Sequence, residues 1–186
     1  MNKPHLATLS EREEIKQFHV SNHLATSVRN EKEREVQEKD LPNDFPALYS
    51  DEEFSKGKVW IARDEQTNEL IGCISLYVCQ EGEEHMGAIS GFVQVSNRSD
   101  DDMALGKKAW IHMLSVHPER RGKGLGRTLL NVALDEAKSQ HVDRVLLITL
   151  PEVMQPAIKL YESVGFELLE RVQTTHYLVD TWQKKY

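Results

Sequence analysis

Apolar residues in this chain gather into short dense runs separated by strongly polar stretches, and the spacing inside each run sets the element it predicts. Lys58–Arg63 and Glu69–Val78, joined by a polar turn around Gln66-Thr67-Asn68, predict a β-hairpin. Trp110–Val116 and residues 142–150, with the apolar run Val145–Leu150, read as two further strands. Helical spacing opens at Arg127-Thr128-Leu129-Leu130 and predicts a helix over about 125–139. Ala157, Leu160, Tyr161 and Val164 recur at helical spacing; Pro156 suits a first turn and Gly165 a C-cap, so a second helix is expected over about 155–164. Phe166–Arg171 and Thr175–Val179 predict a closing hairpin. Strands alternating with helices in this way imply a mixed α/β sheet with helices on both faces.

The flanks are less regular. His5–Leu9 predicts a short first strand, and Ser10 with Glu13 a capping box for a helix through Ile15, Phe18 and Val20. Residues 28–40 are densely charged and predict a largely exposed helix that Leu41–Pro46 breaks. Residues 79–107 interrupt the rhythm: β-like Ala88–Val95 lies between acidic Glu81–Glu84 and Asp100–Asp102. They read as an insertion or as extended strand connections, and the Asp100–Asp102 run as a solvated loop or a lip that attracts a cationic substrate. No repeat, low-complexity tract or linker appears, so residues 1–186 are expected to form one domain.

Composition narrows the class. A chain of 186 residues with 39% hydrophobic and 28% charged residues suits one ordinary soluble domain with a single core. No apolar run approaches the roughly eighteen residues that cross a bilayer, and the charged N-terminus lacks a signal-peptide apolar region. Two cysteines, Cys73 and Cys79, are too few for a metal site and are read as thiols rather than a disulfide; the expected setting is cytoplasmic, with no metal and no membrane. A net charge of −7 argues against nucleic acid and suits a cationic amine. A monomer and a homodimer both remain open.

The chemistry concentrates in His117–Arg127, which follows the Trp110–Val116 strand and leads into a helix. A glycine-rich strand-to-helix turn gathers backbone N–H groups at the positive end of a helix dipole, and glycine lets an anion approach closely. Arg120, Arg121, Lys123 and Arg127 against Glu119 make the stretch net positive, so its natural ligand is a pyrophosphate. The spacing of Gly122, Gly124 and Gly126 fails the dinucleotide pattern at Arg127 and lacks the P-loop's Gly-Lys-Ser/Thr. What fits is Arg121-x-x-Gly124-x-Gly126 after Leu114-Ser115-Val116, which resembles the acyl-CoA-binding motif of the GNAT superfamily of N-acetyltransferases. Ala157-x-x-Leu160-Tyr161-x-x-x-Gly165-Phe166 resembles the last block of the same family. The resemblance covers residues 58–180 well and the N-terminal part weakly.

That resemblance implies a GNAT-type sheet splayed centrally between the strands ending near Val116 and Leu150, with acetyl-CoA in the notch. Backbone groups of Leu114, Ser115 and Val116 would carry the pantetheine arm, and an N–H near Leu114 would polarise the thioester carbonyl. Backbone N–H groups of Arg121, Gly122, Lys123, Gly124, Leu125, Gly126 and Arg127 would hold the pyrophosphate. Tyr161 would stand beside the thioester sulfur as the acid for the departing thiolate. The implied reaction is direct acetyl transfer to a small-molecule amine or a protein amino group. Transfer of another acyl group, an alcohol acceptor, and a non-catalytic CoA-binding module are the alternatives.

The acceptor poses the harder chemical problem. A lysine-like amine of pKa about 10.4 is neutral roughly once in several thousand molecules at pH 7, a cost of about 4–5 kcal/mol, so a general base or a desolvating site is expected. His112 is the candidate: strand alternation places it on the face of Leu114 and Val116, and a histidine at this position resembles the arylalkylamine N-acetyltransferases. The catalytic glutamate of some histone-type members is absent, its place being near Trp110. A carboxylate from residues 79–107, such as Glu83 or Glu84, and desolvation by apolar walls are the competing accounts. His117 reads as a surface residue, and Met154 stands where the family often has an asparagine that contacts the cofactor arm.

Overall fold

Packing of these elements was read from a computed structural model, which describes residues 3–79, 106–173 and 178–186. The expectations for Ala88–Val95, Glu83, Glu84 and Asp100–Asp102 lie outside the described residues. Among the described residues one seven-stranded sheet runs in the order β1-β2-β3-β4-β5-β7-β6. The strands are β1 His5–Leu6, β2 Lys58–Arg63, β3 Leu70–Val78, β4 Lys108–Val116, β5 Arg144–Thr149, β6 Glu167–Gln173 and β7 Leu178–Lys185. The helices are α1 Arg12–Ser27, α2 Glu31–Asp44, α3 Pro46–Tyr49, α4 Asp51–Lys56, α5 Leu125–Ser139 and α6 Gln155–Ser163. None of them is long and apolar enough to cross a membrane.

Two buried clusters cover the two faces of the sheet. Leu125, Leu129, Leu130 and Ala133 of α5 pack with Ile74, Leu76, Ile111 and Leu147, and Ile158 and Tyr161 of α6 join them. Ile15 of α1, Leu48 and Phe54 pack on the other side with Ile61, Cys73 and Met113. The predicted β2–β3 hairpin, the α5 helix and the α6 helix all form close to their expected bounds. At the end of α6, Gly165 adopts φ 90°, Gly165 N–H donates to Glu162 O and Phe166 N–H to Tyr161 O, the paired bonds that satisfy a helix terminus. Neither cysteine forms a disulfide.

Four expectations need correction. The first strand spans only His5–Leu6, because Thr8 is drawn into a cap. The capping box pairs Thr8 with Glu11 rather than Ser10 with Glu13, opening a single 3₁₀ turn before α1; Thr8 N–H donates to a Glu11 carboxylate oxygen at 2.8 Å. Residues 41–44 do not break the charged helix: α2 runs through Pro42 to Asp44, held by burial of Leu41 (4% exposed) and by the Phe45 N–H bond to Leu41 O. The final strand continues past Val179 to Lys185. Two of its polar side chains are satisfied by neighbours: Asp180 accepts from Arg171 Nε and Nη2, and Trp182 Nε1 donates to Thr149 Oγ1.

Strand β4 carries the irregularity that matters for the site. Cys73 pairs with Ser115 and Ser75 with His112, so Met113 and Leu114 together oppose Ile74. This is a β-bulge, and Met113 takes the left-handed value φ 56°. Strand β4 then pairs with β5 in parallel only at Lys108, Ala109 and Trp110; beyond Trp110 and Leu146 the two strands separate. The sheet therefore opens at its centre, between the strand ends where the splay was expected.

Candidate active site

The separation of β4 and β5 opens a cleft of about 580 Å³. Ile111–Val116 form one wall, Leu147–Leu150 the other, and the glycine turn and α6 close one end. Residues of α1 and α2 close the other end. Within the lining the structure brings together His112, Leu114, Ser115, Val116, Arg121, Gly122, Gly124, Gly126, Arg127 and Tyr161. It does not bring the side chains of Lys123 and Leu125 there: Lys123 Nζ donates to Glu119 O, and Leu125 is fully buried under α5.

The glycine turn has the geometry of an anion cradle. Gly122 and Gly124 hold φ 71° and 87°, and a Cβ built on either would meet nothing within 4 Å, so the space before the backbone is open. The helix bond from Thr128 N–H to Gly124 O leaves the N–H groups of Leu125, Gly126 and Arg127 without partners inside α5. Gly126 serves packing instead, since a Cβ there would lie 3.4 Å from Leu160 and 3.7 Å from Val116. The arginines brace the turn. Arg121 donates from Nε to Val116 O at 3.0 Å and from Nη2 to Asn22 Oδ1 at 3.2 Å, while Arg127 reaches Ser163 Oγ at 2.8 Å.

The bulge corrects the predicted facing of β4. His112 lies opposite Ser75, between Ile74 and Leu76, which point toward α5, so both His112 and Ser75 face α1. Leu114 and Val116 pack with the α5 cluster, and Met113 with the α1 cluster. Strict alternation fails because Met113 is an extra residue. The same irregularity leaves Leu114 without a ladder partner on β3, at the height where β5 has already moved away. Met154 accepts the Leu150 N–H on its sulfur at 3.3 Å, so this side chain organises the cleft wall. Tyr161 is 4% exposed, packs edge-on against Phe166, and burial holds its hydroxyl well above the usual tyrosine range, hence protonated. His117, half-buried at the strand end, accepts the Glu119 N–H and caps a short 3₁₀ turn.

Several polar residues of the far end were missed by sequence reasoning. His19 of α1 is 4% exposed, its Nδ1 is 2.8 Å from Ser115 Oγ, and Nε2 has no hydrogen-bond partner among the described residues. Its ring stacks with His23 at 5.9 Å and meets Phe45 edge-on at 4.5 Å. Burial first, then His23 and His112, push His19 down to about 3, while burial takes His23 down to about 4 against a hydrogen bond with Gln37. Both histidines are therefore neutral at physiological pH. Asp44 ends α2 and lines the same end, where burial and then Asp40 push its carboxyl up to about 7. The His19–His23 spacing of one helical turn was the available signal; Asp44 lay inside a stretch read as a break. No group of three or more His, Cys, Asp or Glu among the described residues is arranged to hold a metal ion.

Comparison with known proteins follows the same geometry. A mycothiol acetyltransferase of Thermobispora bispora is 35% identical over 83 residues, covering 45% of this chain and 28% of the relative. N-alpha-acetyltransferase 30 of Saccharomyces cerevisiae is 34% identical over 65 residues, covering 35% of this chain and 36% of the relative. The chain thus spans about a third of the length of these curated relatives. The crystal structure of Arabidopsis thaliana NAA60 in complex with acetyl-CoA superposes over 98% of this chain and 97% of its own, with a TM-score of 0.64 at 18% identity, which shows a shared fold. The family model for acetyltransferases of the GNAT type matches residues 24–166, and the chain belongs to that family.

Proposed function

We propose that this protein is an acetyl-CoA-dependent N-acetyltransferase that moves an acetyl group directly to a primary amine. One observation carries the reading: the sheet opens beside a left-handed glycine turn, and that opening holds His112 and Tyr161 in a single cleft. The residues present suit acetyl-CoA. Gly122 and Gly124 leave backbone N–H groups accessible, and Leu114 offers a backbone without a β3 partner at the notch. Bound there, acetyl-CoA supplies an activated acyl group on a thiol of fair leaving ability.

The chain's own groups then divide the work. The notch holds acceptor and thioester together, which replaces a covalent enzyme intermediate with proximity. His112 takes the proton that the amine nitrogen must lose, and Tyr161 returns one to the departing thiolate sulfur. The Leu114 N–H polarises the carbonyl. The relatives named above as acetyltransferases support acetyl over other acyl groups.

A thiol-release assay with acetyl-CoA and a panel of amines, amino acids and peptide N-termini tests this. Amine-dependent release with acetylated product in the mass spectrum is the expected result. Binding of CoA without release for any acceptor would leave a binding module, and release only with alcohols or other acyl-CoAs would replace the acetyl–amine reading.

A further inference from the structure

Asp44 is badly placed for an anion that has no ligand. It is the last residue of α2, at the negative end of the helix dipole, where a carboxylate is disfavoured. Asp40 stands one turn earlier on the same helix face, a like charge that worsens the placement. No hydrogen bond or ion pair reaches the Asp44 carboxylate among the described residues. Among the described residues the titratable groups that share its cavities offer no cation: His19 and His23 line the cleft as neutral rings, and Glu53, which lines the small cavity, is paired with Lys56. A partly buried carboxylate in such surroundings gains most from a cation that arrives from outside.

Position says where that cation would sit. Asp44 and His112 both line the main cleft, and both also line a small cavity of about 40 Å³ behind it under α3, so they flank one neck. His19 of α1 lines the same end of the main cleft. His19 is anchored through Nδ1 to Ser115, yet its buried Nε2 remains without a partner among the described residues. An acceptor in the neck would meet the Asp44 carboxylate and Phe45, against which the His19 ring packs edge-on.

We propose that Asp44 is the acceptor-binding carboxylate, which draws a primary amine into the neck beside His112 as its ammonium ion. The inference rests on the acetyltransferase reading and adds a specificity-determining residue to it. The charge of the carboxylate selects cationic over neutral acceptors, and His112 then removes the proton whose loss makes the amine reactive. Asp44 is a positioning residue here, so its loss is felt in binding before chemistry.

The probes are n-butylamine, 1,4-diaminobutane and 2-phenylethylamine, each set against its alcohol, with calorimetric binding to the CoA-loaded protein and steady-state kinetics. In the parent at least one amine should bind about tenfold or more tighter than its alcohol. Asp44→Asn should raise the amine KM and Kd by about 10–100-fold, erase the preference over the alcohol, and leave kcat within about threefold and acetyl-CoA binding unchanged. Asp44→Glu, which keeps the charge, should recover part of the preference. Unchanged amine Kd in Asp44→Asn overturns the proposal, as does a parent that prefers no amine over its alcohol. A fall in kcat at constant KM overturns it too, making Asp44 the base in place of an anchor. A parent that shows no thermal shift with acetyl-CoA fails the acetyltransferase reading instead, and amine binding is then read by calorimetry on the protein without CoA.

Discussion

The two ends of the cleft are built from different materials. At the glycine turn and the strand notch the lining is backbone: N–H groups at the start of α5, left-handed Gly122 and Gly124, and Leu114 without a β3 partner. Under α1 and α2 the lining is side chains, His19, His23 and Asp44, whose charge states are shifted chiefly by burial. A backbone site is robust to side-chain change but fails when a turn cannot form. A side-chain site retunes with single substitutions. Under the proposed function the first end would take the donor and the second the acceptor.

Variants at each end should separate these behaviours. The largest effect is expected at Gly124, where any Cβ stands in the cradle and φ 87° disfavours an L side chain by about 1–2 kcal/mol. Gly124→Val should abolish the acetyl-CoA thermal shift, which for the parent corresponds to about 2.7 kcal/mol at a hundredfold excess over Kd. Gly126→Ala, whose Cβ meets only ordinary contacts with Leu160 and Val116, should keep most of it. Equal shifts in the two variants would break the backbone account.

Next in size is His112→Gln, expected to lower kcat/KM by about 10²-fold at neutral pH, with the loss shrinking as pH approaches the amine's own pKa. A variant with the parent's rate and pH profile removes His112 from the chemistry. Tyr161→Phe should lower kcat by about ten- to a hundredfold with little change in the acetyl-CoA KM, because only the proton donor is lost. Unchanged kcat returns Tyr161 to packing against Phe166.

The smallest expected effect concerns stability rather than rate. His19 sits at about 3 in the folded protein against an ordinary value of 6.5, so the unfolded chain binds its proton first. Its contribution is therefore complete above about pH 6.5 and is lost as pH falls toward 3. His19→Gln should flatten the fall of Tm between pH 6.5 and 4 by on the order of 2 kcal/mol, or about 4–8 °C for a chain of this size. Parallel curves for parent and variant would remove His19 from the acid response.

Legibility in the sequence follows the same divide. The glycine turn, the α6 block with Gly165 at its end, and the order of the described strands and helices from Lys58 onward were readable because each rests on local spacing. The bulge at Met113 was not, since methionine carries no signal for a left-handed conformation and the extra residue is fixed by pairing with β3. Helix α2 passing through Pro42 and strand β7 continuing through Asp180-Thr181-Trp182 both depend on burial and on distant partners. Asp44 combined both difficulties. Its placement at the cleft depends on where a helix ends and on which distant elements pack beside it, and neither is written in the residues beside it.

The divergence of β4 from β5 after Trp110 also shapes how this fold breathes. The centre of a sheet is ordinarily the slowest part of a protein to give up its amide protons to solvent, because every strand there is bonded on both sides. Here the central strand is bonded on both edges at its start and on one edge thereafter. The middle of the molecule therefore holds a slow half and a fast half within a single strand, joined at the entrance to the cleft.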